Sequence, residues 1–193
     1  MTVGEIVPDT DETPNDWQAT GSPHYDEVNE DHSSPSDGSN IFAEELNGDD
    51  NDNEDFGFTT LTDIVANSIT QVKVWTRGIR SGSVNPTVAV SWNGGASFSA
   101  PDVLILGNLV YGWASNTWAG LTYSKADLDQ FQIRYTADVP DKENENTISC
   151  VYVEVTYTSS LTGYTNIFVG VIPANIGKIS GVATANIAKV KGV

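Results

Sequence analysis

Residues 147–158 read TISCVYVEVTYT, and the fold is decided there. Ile148, Cys150, Tyr152 and Glu154 alternate with Val151, Val153 and Val155, the period-two signature of a β-strand. Both faces are largely apolar, which predicts a central strand in a covered sheet. Further back, DQFQIRYTA (129–137) puts Phe131, Ile133 and Tyr135 on one face, with Gln132 and Arg134 on the other. TVAVSW (87–92) runs into Asn93-Gly94-Gly95, a tight-turn signal. ITQVKVWTR (69–77) alternates Ile69, Val72, Val74 and Thr76 against polar partners with one slip, and Trp75 within it reads as core. Only SKADLDQF (124–131) offers a helical turn, with Ser124 as N-cap and Asp127 three residues later. Many short strands, Gly, Asn and Pro turns and almost no helix predict an all-β, antiparallel β-sandwich of jelly-roll-like kind.

The ends of the chain differ from this body. Residues 1–16 are rich in Pro, Asp and Thr and read as a flexible acidic N-terminal arm, with the β-sandwich domain over 17–160. SNIFAEEL (39–46) and DFGFTTL (55–61) read as edge strands flanking an acidic loop, NGDDNDNED (47–55). Residues 161–193 form a short β-rich tail in which the segment beginning Ala174-Asn175-Ile176 returns eleven residues later at Ala185-Asn186-Ile187. Its apolar residues, Ile176, Ile179, Val182, Ile187, Val190 and Val193, are spaced by three, which suits neither an ideal strand nor an amphipathic helix. Two copies bury too little apolar surface to stand alone. The tail is therefore expected to anchor the chain, through a homotrimer or on the sheet edge of another protein.

Composition narrows the function. A single cysteine, Cys150, excludes an internal disulfide and a Cys-based zinc site. The start, MTVGEIVPDTDET, lacks the basic and apolar runs of a signal peptide, and no stretch reaches the length of a membrane helix. Net charge is −17, with no Lys or Arg before Lys73 and no acid after Glu154. Such a body repels nucleic-acid phosphates and anionic lipid, so neither nucleic acid nor membrane insertion is expected.

Catalytic constellations are thin. Asp49, Asp50, Asp52, Glu54 and Asp55 fall in one hydrophilic loop, where nothing apolar is expected to raise a carboxyl pKa. His24 and His32 sit in the polar N-terminal region without a nucleophile elbow. The start of an EF-hand loop in DDNDNED fails at Glu54, where glycine is needed, and at Thr60, where the closing glutamate belongs, so calcium is left to a looser loop site and no cofactor is expected. Aromatics are the remaining signal. Trp113 and Trp118, in the irregular YGWASNTWAGL (111–121), are candidate glycan contacts, and Trp92, just before its turn, reads either way.

The order HYDEVNE, DGSNIFAE, EDFGFTTL, ITQVKVWTR, WAGLTYSKADLDQFQIRY and ISCVYVEVTY resembles a β-sandwich module of tailed-bacteriophage structural proteins, from about residue 20 onward. The closing Lys-Ile/Val-x-Gly-Val repeats are similar to tails that recur at the ends of phage virion proteins. The resemblance implies a non-enzymatic virion component, made in the host cytoplasm without a signal peptide. It would be displayed as a capsid decoration, neck or tail appendage or fibre, and fixed through its tail to other virion proteins or to itself. The alternative is a carbohydrate-binding β-sandwich, an adhesin for host surface glycans.

Overall fold

The structure, a computed structural model, describes residues 1–36, 38–44, 52–58, 68–137 and 145–158, with the backbone of 178–179 and 182–183. The chain divides into two compact units, Met1–Thr158 and Ser159–Val193.

The first unit is an antiparallel β-sandwich. Its larger sheet runs β10 (Gly112–Tyr123), β6 (Ser68–Ser81), β12 (Glu145–Thr158), β4 (Ile41–Glu44), β3 (Gln18–Ala19). β1 (Thr2–Ile6) lies along the second half of β12, and β9 (Gly107–Asn108) runs parallel to the end of β6. The smaller sheet runs β2 (Thr10–Asn15), β5 (Asp52–Gly57), β11 (Gln132–Ala137), β7 (Thr87–Ser91), β8 (Asp102–Val103). The β6–β12 pair forms the spine: Val72, Val74, Val151, Val153 and Val155 point inward against Phe56, Val88, Val90 and Ile133. Between the sheets, Thr76 Oγ1 and Tyr135 OH hydrogen-bond at 2.7 Å, which lets two buried hydroxyls satisfy each other.

Irregularities in the pattern have physical causes. The slip in ITQVKVWTR is a β-bulge: Ile69 pairs with Tyr157 and Gln71 with Thr156, so Thr70 is the extra residue. A second bulge places Ser149 as the extra residue of β12, where its Oγ accepts from Arg77 Nη1 at 2.8 Å. Beyond it the outer face of β12, with Tyr152 and Glu154, is only half-buried, so this central strand is covered on one face.

Three expectations need correction. Residues 1–16 are not a free arm: β1 pairs with β12 and β2 with β5, and Ile6 enters the core. Ladder hydrogen bonds come from the backbone, so polar composition does not keep a strand out of a sheet. The acidic segment is not all loop either, because Asp52–Gly57 is an interior strand between β2 and β11. The stretch expected to be irregular, around Trp113 and Trp118, is the twelve-residue strand β10, at the end of the larger sheet among the described residues. The predicted helical turn stands as α1 (Lys125–Leu128), with the Ser124–Asp127 capping box formed.

In the second unit, β13 (Lys178–Ile179) pairs antiparallel with β14 (Val182–Ala183), Ile179 opposite Val182. Ile176, Ile187, Val190 and Val193 lie outside the described residues.

Candidate functional site

Strand parity separates the two candidate tryptophans. They are five residues apart on β10, so their side chains leave opposite faces of the sheet. Trp118 faces inward, half-buried and packed on the core, whereas Trp113 is 39% exposed on the outer face. Each belongs to a separate aromatic group.

Trp118 lines a cleft of about 470 Å³ with Trp92, Phe98, Leu121, Tyr123, Asn93, Ser97, Ser99 and Asp127. The walls are fixed from below. Asn93 Oδ1 accepts from Ser91 Oγ (2.9 Å) and Ser97 N (3.0 Å), and Gly94 and Gly95 take the positive φ that the turn requires. Trp92 stacks on Tyr123 at 4.2 Å and leans on Phe131 at 4.8 Å. Phe98 lies 4.1 Å beneath the Arg134 guanidinium, which is itself bidentate to Asp55 at 2.7 and 2.6 Å. Asp127 Oδ2 accepts from Ser124 N (2.7 Å) and Ser124 Oγ (2.8 Å), and these bonds hold its carboxyl below the usual carboxylate range. The cleft thus offers aromatic walls, hydroxyl and amide groups, and one fixed anion.

The second group stands on the outer face of the larger sheet. Register sets Trp113 beside Arg77, Ser115 beside Trp75 and Tyr152, and Thr117 beside Lys73, Glu154 and Glu5. Trp75 and Tyr152 stack at 6.0 Å, Trp113 meets Tyr152 edge-on at 5.5 Å, and His32 covers Tyr152 at 4.4 Å. Lys73 Nζ sits 3.5 Å over Trp75, and Arg77 lies 4.7 Å over Tyr111. Trp75 is not core: it is out of phase with Val72 and Val74, the signal that could have placed it.

A third feature went unseen in the sequence. Glu54, expected in a solvated loop, is fully buried in β5, where Trp17 N donates to it at 3.2 Å and His24 Nδ1 lies 2.9 Å from its Oε1. Asn15 Nδ2 donates to Oε2 at 3.1 Å. Burial, reinforced by the charges of Asp11, Asp55 and Asp16, pushes its carboxyl up to about 9 against the Trp17 hydrogen bond. Glu54 Oε1 and His24 Nδ1 share one hydrogen bond inside the fold. The group is structural, with both oxygens engaged inside the protein. Cys150 is also buried, its thiol pushed up to about 11 chiefly by burial, and it carries no reactive character. Asp49 and Asp50 lie outside the described residues, among which no cluster of three or more His, Cys, Asp or Glu is placed to hold a metal ion.

No family model matches the sequence, and comparison with curated proteins gives no match. Among solved structures, the C-terminal CBM6 of LamC, a marine laminarinase from Zobellia galactanivorans, is 9% identical with a TM-score of 0.41, over 80% of this chain and 99% of that one. CBM35 from Cellvibrio japonicus Abf62 is 12% identical, TM-score 0.40, over 81% and 95%. The enzymatically active domain of bacteriophage CBA120 tailspike protein 4 is 7% identical, TM-score 0.43, over 80% of this chain and 19% of that one. These are likenesses of β-sandwich fold.

Proposed function

We propose that the chain is a non-enzymatic carbohydrate-binding β-sandwich, displayed on a bacteriophage virion and held there through residues 161–193. Trp118 carries the reading. Its indole lines the cleft and joins none of the ring stacks or cation contacts among the described residues, unlike Trp92, Phe98 and Tyr123 beside it. A sugar ring has an apolar C–H face that stacks on such an indole, and hydroxyls that Asn93, Ser97, Ser99 and Asp127 can meet. Glycoside hydrolysis needs two opposed carboxyls, and among the described lining residues Asp127 is the one carboxylate. Display on a particle rests on the sequence resemblance and on the apolar, weakly basic tail.

Calorimetric titration with hexasaccharides chosen from a glycan array tests the cleft. We expect Trp118→Ala to weaken binding at least tenfold in a variant that melts lower but still unfolds cooperatively, since the indole also packs on the core. Unaltered affinity in that variant, or silence across the array, overturns the glycan reading. Absence of the protein from purified particles overturns the display reading independently.

A further inference from the structure

We infer that the outer face of the larger sheet is a second recognition surface, separate from the cleft, and that it takes a neutral, hydroxyl-rich saccharide. Three observations converge. Core packing does not account for the aromatics there: Trp75, Trp113, Tyr111 and Tyr152 belong neither to the core cluster nor to the half-buried residues packed on it. Trp75 and Tyr152 stabilise the sheet as a cross-strand pair, but so many large aromatics gathered on one outer face are the composition of a contact surface.

Next, Trp75 Nε1 is shielded from solvent and has no hydrogen-bond partner. A native fold matches its buried donors, so one left unmatched here marks a ring group that the fold alone leaves incomplete.

The charges around the rings then choose the ligand. Arg77 and Lys73 donate from β6, while Glu154 and Glu5 accept from the neighbouring strands, with Ser115 and Thr117 doing both from β10. An anionic ligand meets Glu154 and Glu5, and a cationic one meets Lys73 and Arg77. Both cations already lie on rings of the protein itself, Lys73 on Trp75 and Arg77 on Tyr111. Only groups that donate and accept at once, as sugar hydroxyls do, match the whole row. Trp113, the most exposed of the rings, supplies the stacking face.

The surface extends the glycan-binding reading but does not depend on the cleft, and one experiment separates the two. The five tryptophans, Trp17, Trp75, Trp92, Trp113 and Trp118, give five indole N–H resonances in the full chain. Neutral gluco-, xylo- and manno-hexasaccharides are titrated in turn, with an oligogalacturonate of equal length as the anionic control. The expected result is a shift of the Trp113 and Trp75 indoles with at least one neutral probe, and none with oligogalacturonate. That shift survives Trp118→Ala and is lost in Trp113→Ala, while Trp118 and Trp92 respond in the opposite way. Movement of Trp118 alone overturns the second surface and leaves the cleft standing. An equal response to oligogalacturonate overturns the assignment to neutral sugars. Stationary Trp113 and Trp75 signals with every probe overturn the surface outright.

Discussion

Glu54 sits where the alternation of β5 demands an inward residue. It shares its face with Phe56, while Asp55 between them turns outward to Arg134. Removing a carboxyl from water disfavours its charged form, and Asp11, Asp16 and Asp55 add repulsion, so the folded state holds a proton that the unfolded chain loses near 4.5. The sign follows directly. Stability from this group is fully present below about 4.5 and is lost as pH rises through about 9, because the native state binds more protons across that window. One proton sets a ceiling of about 1.4 kcal/mol per pH unit. Glu54→Gln keeps an acceptor for Trp17 N and a polar partner for His24 while removing the titration. Urea melts from pH 5 to 9 are therefore expected to show wild type losing stability relative to Glu54→Gln as pH rises. Parallel curves would mean that Glu54 does not carry the proton. Composition concealed this residue: five acids in seven positions read as solvated, and nothing local showed that one of them faces a core supplied by distant strands.

Among the elements, β1 and β10 separate what was legible from what was not. β6, β11 and β12 could be read because buried valines, isoleucines and aromatics alternate with polar groups, a pattern that records a one-sided core. β1 buries only Ile6 deeply, and β2 buries none of its residues deeply, so neither leaves such a record. Their strand character comes from backbone pairing with β12 and β5, which is nearly independent of side chain. Ile6→Ala tests this: a free arm loses nothing, whereas the packed strand is expected to lose about 2 kcal/mol, the low end of an Ile→Ala core truncation. Chemical denaturation measures it. β10 escaped for a different reason, since its inward residues, Ala114, Asn116 and Trp118, are only half-buried and mix polar with apolar, which blurs the alternation. A spacing of five nonetheless puts Trp113 and Trp118 on opposite faces of any strand that carries both.

At the scale of the whole molecule, charge and core are partitioned together. All 26 acids precede Thr158, and three of the nine cations, Lys178, Lys189 and Lys191, follow it. Every residue of the described hydrophobic core lies between Ile6 and Tyr157. Residues 159–193 carry no Asp or Glu at all. A version ending at Thr158 is expected to unfold cooperatively with a denaturation midpoint close to that of the full chain, since stability follows buried apolar area. Removing three cations also leaves a body with six cations against 26 acids, which raises its self-repulsion and favours a monomer. Light scattering on the two versions completes the test. A larger particle for the full chain and a monomer for the shorter one are expected if Ile176, Ile179, Val182, Ile187, Val190 and Val193 join copies together. Equal masses would send the tail to a different partner, and loss of cooperative unfolding in the shorter version would mean that the sandwich is not self-sufficient.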